Sequence, residues 1–105
     1  MGERVRVCQL EELPSGEARR FVVGGRPVAV VRIDDEVYAI EDTCSHEETS
    51  LAEGEVWVEE RELECPKHGS TFDLRTGEPR TLPATEPVAV FPVSVVEGAV
   101  ELELP

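Results

Sequence analysis

The chain has 105 residues, with 23 Asp plus Glu against 10 Lys plus Arg and a formal charge of −13 at pH 7. So acidic a surface excludes nucleic acid and anionic membranes as partners and leaves a basic protein patch as the natural one. Hydrophobic residues at 40% allow one compact domain over residues 1–105, and no apolar run nears the roughly 20 residues of a membrane span. The opening Met1 to Arg6 has no apolar signal core, so a soluble, cytoplasmic protein is expected.

In chain order, a first strand carries Cys8, and Leu10 to Leu13 fits no more than one helical turn. Val28, Val30 and Arg32 alternate with Ala29, Val31 and Ile33, and Val37, Ala39 and Glu41 alternate with Tyr38, Ile40 and Asp42. Such runs of period two, rich in β-branched residues, predict half-buried and buried strands. Gly24-Gly25 fits a two-residue hairpin turn, Asp34-Asp35-Glu36 a second tight connection, and Glu97-Gly98 a third, between Val93–Val96 and Val100–Leu104. Ser50 to Glu53 offers another single helical turn. Pro87 and Pro92 suit strand edges or ends. The pattern predicts an all-β, hairpin-rich domain in which two short polar segments, Thr43 to Thr49 and Pro66 to Ser70, stand apart from the strands.

Both histidines fall beside cysteines, in Cys44-Ser45-His46 and Cys65-Pro66-Lys67-His68, with residues 47–64 between. A cysteine and a histidine one or two residues apart on a loop can turn to one centre, and two such loops supply two thiolates and two imidazoles. Zinc accepts that set, but its common spacing keeps the cysteines together on one loop and the histidines on another element. Here each loop carries one of each.

Cys44-Ser45-His46 with Cys65-Pro66-Lys67-His68-Gly69-Ser70 resembles the paired signature of Rieske [2Fe–2S] proteins, Cys-x-His on one loop and Cys-x-x-His on the other. The similarity runs from the strands around Val28 to Glu41, through Thr71-Phe72-Asp73-Leu74-Arg75-Thr76-Gly77, to the final hairpin, and is closest to small bacterial Rieske-type ferredoxins. The resemblance implies stacked antiparallel sheets and a cluster-binding subdomain of two loops within residues 43–84. It also implies one [2Fe–2S] cluster per chain, with Cys44 and Cys65 on one iron and His46 and His68 on the other. Two ferric ions, two sulfides and two thiolates sum to a neutral centre, where four thiolates would leave a dianion that resists an electron. The family spans about −150 to +300 mV, against about −400 mV for four-cysteine plant-type clusters.

High-potential members carry an extra cysteine in each loop, joined as a disulfide; here those places are Thr49 and Lys67. Their tyrosine, which donates to a ligand sulfur, is Phe72 here, while Ser70 keeps a hydroxyl for a bridging sulfide. Fewer donors to sulfur lower the potential, so the lower half of the Rieske range is expected.

Leu82-Pro83-Ala84 lies where Rieske proteins have a proline loop covering the cluster, although an ordinary surface turn fits as well. Cys8 reads as a buried small hydrophobe, Trp57 as core or sheet-surface packing rather than an electron relay, and Glu47 and Glu48 as solvated charge or a contact for a basic partner. Gly24-Gly25 lacks the spacing of a dinucleotide fingerprint.

With both histidines given to the cluster, none remains for a mononuclear oxygen-activating iron site, so the chain is expected to be an electron carrier and not an enzyme. The resemblance implies a monomeric shuttle that takes one electron from an NAD(P)H-dependent flavoprotein reductase and delivers it to a terminal oxygenase. The alternative is an accessory subunit of a larger redox or iron–sulfur assembly system, such as the Rieske-like small subunit of nitrite reductase.

Overall fold

A computed structural model describes residues 3–45, 49–67, 69–82 and 84–104. Among them, no helix is long and apolar enough to cross a membrane. Helix is confined to two single 3₁₀ turns, Leu10–Glu12 and Leu51–Glu53, at the two places where the sequence allowed one turn.

Strand β1 (Glu3–Gln9) begins the chain, followed by β2 (Glu17–Val23), β3 (Arg26–Ile33) and β4 (Glu36–Glu41). Three short strands follow, β5 (Val56–Trp57), β6 (Glu62–Glu64) and β7 (Thr71–Asp73), then β8 (Val90–Phe91), β9 (Val93–Val96) and β10 (Ala99–Leu104). They form three antiparallel sheets in the orders β1-β10-β9, β2-β3-β4-β8 and β5-β6-β7.

The turns expected from sequence close these ladders. Gly24 and Gly25 have φ of 57° and 80° between the paired Val23 and Arg26, the double positive φ that a two-residue hairpin of matching twist requires. Pro92 separates β8 from β9 and moves the chain from the four-stranded sheet to the three-stranded one. A proline has no N–H for a ladder, so this is where a strand can end without leaving a donor unpaired.

Strand β3 shows why the molecule is layered. Val28 and Val30 pack into a core with Val100 and Leu102 of β10, whereas Ala29, Val31 and Ile33 pack into a second core with Leu63 of β6 and Phe72 of β7. The four-stranded sheet is therefore the middle layer, apolar on both faces, with β1-β10-β9 on one side and β5-β6-β7 on the other. Each fully buried valine or isoleucine here contributes about 1.5–3 kcal/mol relative to exposure. Cys8 departs from the sequence reading: it is half-buried beside a bulge in β1 and packs at the margin of the first core. Burial, then the nearby Glu12 carboxylate, push its thiol pKa up, so it is poorly reactive.

Candidate metal centre

Two hydrogen-bonded loops rise from the middle and outer sheets. The first leaves β4 at Asp42, and Thr43 bridges Ser50 across its neck. The Cys44 N–H donates to Thr49 O at 3.0 Å, closing the neck of the loop. Asp42, almost fully buried, fixes the stem: its Oδ1 accepts the Ala52 N–H at 2.9 Å, its Oδ2 the Arg20 Nε–H at 3.1 Å, and its carbonyl the Leu51 N–H at 2.6 Å.

The second loop joins β6 to β7. The Cys65 N–H donates to Ser70 O at 2.7 Å and the Gly69 N–H returns to Cys65 O at 3.0 Å. Its approach is tight elsewhere too, since a Cβ on Gly54 would stand 1.6 Å from the Glu64 carbonyl oxygen, so only glycine lets the first loop's exit pass beside the second loop's stem.

Both cysteines, at 3% and 0% exposure, belong to the same apolar cluster, with Leu51, Leu63, Phe72 and Leu74 around them. Among the described residues no disulfide joins Cys8, Cys44 and Cys65. Two sulfurs brought from separate loops into one dry cluster are a donor set suited to soft metal, which thiolates select. Ser70 is fully buried beside them. Its Oγ accepts the Ala84 N–H at 3.0 Å, which leaves the hydroxyl hydrogen to point at another acceptor. These residues fit an iron–sulfur group. His46 and His68, the imidazole donors expected from sequence, lie outside the described residues, as do Glu47, Glu48 and Pro83.

A third segment lies across both loops. The Ser45 Oγ–H donates to Glu86 O at 2.6 Å, the Ala84 N–H holds Ser70, and Thr81 Oγ1 accepts the Thr71 N–H at 2.9 Å and donates to Gly69 O at 3.3 Å. Of the two readings of Leu82-Pro83-Ala84, a covering segment agrees with these bonds, with Leu82 itself 77% exposed on the outside. Ser45 and Thr81, which pin the cover, were not singled out in the sequence: two of their partners are backbone carbonyls, which leave no trace in side-chain pattern. Phe72 is buried against Leu63, carrying no hydroxyl where a donor to sulfur would be. Of core and sheet-surface packing, Trp57 takes the surface, on the outer face of β5-β6-β7, its Nε1–H donating to Glu64 Oε1 at 2.9 Å.

Glu36, at the start of β4, meets Arg61 in the turn between β5 and β6, and the Arg61 guanidinium, then the Tyr38 hydroxyl, hold its carboxyl down at about 2. This surface clasp ties the middle sheet to the outer one.

Residues 3–92 match the family model described as the Rieske [2Fe-2S] domain. The chain is 43% identical over 95 residues to the anthranilate 1,2-dioxygenase ferredoxin subunit of Burkholderia cepacia, covering 90% of this chain and 86% of that protein. Its structure is similar to the ferredoxin of carbazole 1,9a-dioxygenase from Nocardioides aromaticivorans IC177, with a TM-score of 0.93, 43% identity and 97% of each chain covered. It is also similar to a chain in a complex of reduced oxygenase and oxidized ferredoxin in carbazole 1,9a-dioxygenase, with a TM-score of 0.87, 42% identity, and 94% and 91% coverage.

Proposed function

The chain belongs to the Rieske [2Fe–2S] domain family and is an electron carrier of the ferredoxin type; from that premise we propose the ligands, the partners and the route. Cys44 and Cys65 hold one iron of the cluster as thiolates, and His46 and His68 hold the other through their imidazoles. The cluster, when bound, takes up and gives back one electron. The chain receives that electron from an NAD(P)H-dependent flavoprotein reductase and passes it to a terminal oxygenase, working as a cytoplasmic monomer folded as one domain over residues 1–105.

The observation that carries this reading is the burial of Cys44 and Cys65 in one apolar cluster, each on its own closed loop. Burial keeps water from the thiolates, Ser70 offers a hydroxyl hydrogen toward sulfur, and Phe72 withholds a second. One donor where other members have two supports a midpoint in the lower half of the Rieske range, below about +75 mV. With His46 and His68 as the ligands of the second iron, the electron leaves by way of their imidazoles.

The test is iron and sulfide counting with visible and low-temperature paramagnetic spectra of the reduced protein. Two irons and two sulfides per chain are expected, and His46→Ala or His68→Ala should abolish the mixed-ligand spectrum. Unchanged iron content and spectrum in either variant would overturn the ligand set, and a midpoint above about +200 mV would overturn the donor argument. For the partners, a flavin reductase should reduce the purified chain at a rate that falls as salt rises. Co-purification with a fixed large subunit, and no reduction by a free reductase, would favour the accessory-subunit alternative.

A further inference from the structure

The hairpin of β5 and β6 combines an exposed aromatic ring with dense negative charge. From Glu53 to Glu64 it carries six glutamates against Arg61 alone, and Glu53, Glu55, Glu59 and Glu60 are exposed. Arg61 is already engaged by Glu36, so it offsets none of this charge toward a visitor. In the middle stands Trp57, 41% exposed on a strand at the edge of its sheet.

The indole is held in place. Trp57 pairs with Glu62 across the ladder, so both side chains leave the same face, and Glu64, two residues on, shares that face and accepts the indole N–H at 2.9 Å. Glu62 is occupied by Arg80 at 3.7 Å. Glu55, exposed just before β5, accepts the Glu64 N–H on its carbonyl at 2.9 Å, which sets it directly across from Glu64. A fixed ring with carboxylates at its edge meets the two demands of a guanidinium or ammonium group at once, a π face to lie on and an anion to pair with. A rigid indole also gives up little freedom when it is covered, the property that makes Trp frequent among energetically dominant interface residues.

We propose that Trp57, with Glu55 and Glu64, receives an Arg or Lys side chain of the terminal oxygenase when the reduced chain docks to deliver its electron. This rests on the shuttle reading above. The oxygenase is chosen because a chain 42% identical to this one is seen in a complex with its oxygenase, so that delivery step has a defined contact surface in a relative. Position favours the choice as well: Glu64 immediately precedes Cys65, so a side chain seated here presses on the stem of a cluster loop. Two copies of this patch would repel, since each presents carboxylates.

The experiment uses the loaded chain and its oxygenase. Prereduced wild type, Trp57→Ala, Trp57→Phe and Glu55→Gln are mixed with increasing oxygenase, and the rate of ferredoxin oxidation is followed. For Trp57→Ala the apparent Kd is expected to rise roughly five- to thirty-fold while the limiting rate holds. Trp57→Phe should recover part of the loss, and Glu55→Gln should weaken the salt dependence. The midpoint, the cluster spectrum and the apparent Kd for the reductase should stay at wild-type values. An apparent Kd for the oxygenase within twofold of wild type overturns the inference but leaves the shuttle standing. A loss confined to the reductase step also overturns it and assigns the patch to the donor. If wild type itself delivers no electron to any oxygenase, the shuttle reading and this inference fall together.

Discussion

In the middle sheet, β2 and β3 run in register over seven residues and β3 and β4 over six, whereas in the outer sheet β5 meets β6 over two and β6 meets β7 over three. The two regions also bury different things. The base places valine and alanine on both faces of one sheet, while the cluster-binding region surrounds two cysteines with loops closed by a few hydrogen bonds and covered by a segment pinned at Ser45, Ser70 and Thr81. Hydrophobic burial is large and non-directional, so it stabilises the base without fixing any atom closely. Individually placed hydrogen bonds add only about 1 kcal/mol each but fix direction, which is what a ligand sphere needs.

The sharpest way to break this contrast is to remove a thiol. Cys65→Ala should eliminate iron and sulfide from the chain, yet amide exchange in β2, β3 and β4 should remain slow. If protection there vanished along with the metal, the two regions would be one cooperative unit and the comparison would fail. Next comes the base itself. Leu102→Ala deletes a fully buried side chain of β10 and should cost about 3 kcal/mol in urea unfolding with no change in midpoint potential. Thr81→Val, which keeps the volume but removes the hydroxyl that holds Thr71 N–H and Gly69 O, should invert that pattern. We expect about 1 kcal/mol of stability lost, a measurable potential shift and faster cluster loss in air, with Thr81→Ser restoring all three.

The smallest effect concerns acid. Burial pushes the Asp73 carboxyl up, but the backbone N–H of Arg75, its guanidinium and the backbone N–H of Thr76 outweigh it and hold the group below its ordinary value. The native state then binds fewer protons there than the unfolded chain. The stabilisation is complete above about pH 4 and is lost as pH falls through the lowered native value. Asp73→Asn should flatten the acid limb of stability against pH and leave the neutral region almost unchanged; an unaltered limb would show that other carboxylates set it.

Much of the base was legible in the sequence because its strands are long enough to show a period of two. Val28 to Ile33 announced a strand, buried or half-buried, and Gly24-Gly25 and Glu97-Gly98 announced its kind of turn. The outer sheet was not, since strands of two or three residues carry no period. Pro92 read as a strand end, but its role in carrying the chain between sheets depends on which strands flank it in space. For the site, Cys44 and Cys65 stood out by their spacing from histidine, and the structure brings both into one cluster. The cover was half legible: its proline suggested it, but Ser45 and Thr81 hold it by reaching main-chain atoms, and no residue pattern records such a reach. Trp57 read as core or sheet-surface packing, and the structure selects the surface, a choice the sequence leaves open because it does not say which side of a two-residue strand faces solvent.

One consequence follows from where the chain leaves and re-enters the middle sheet. Residues 42–89 depart after β4 and come back to it as β8, where Ile40 pairs with Val90 and Ala39 with Phe91. The cysteine-bearing portion is thus an excursion whose two ends are stapled side by side. The entropy of tethering such ends rises only with the logarithm of contour length, about 0.6 kcal/mol for each doubling. The scaffold is therefore nearly indifferent to how long the excursion is, and evolution can extend, trim or regraft it to meet new partners without renegotiating the foundation beneath.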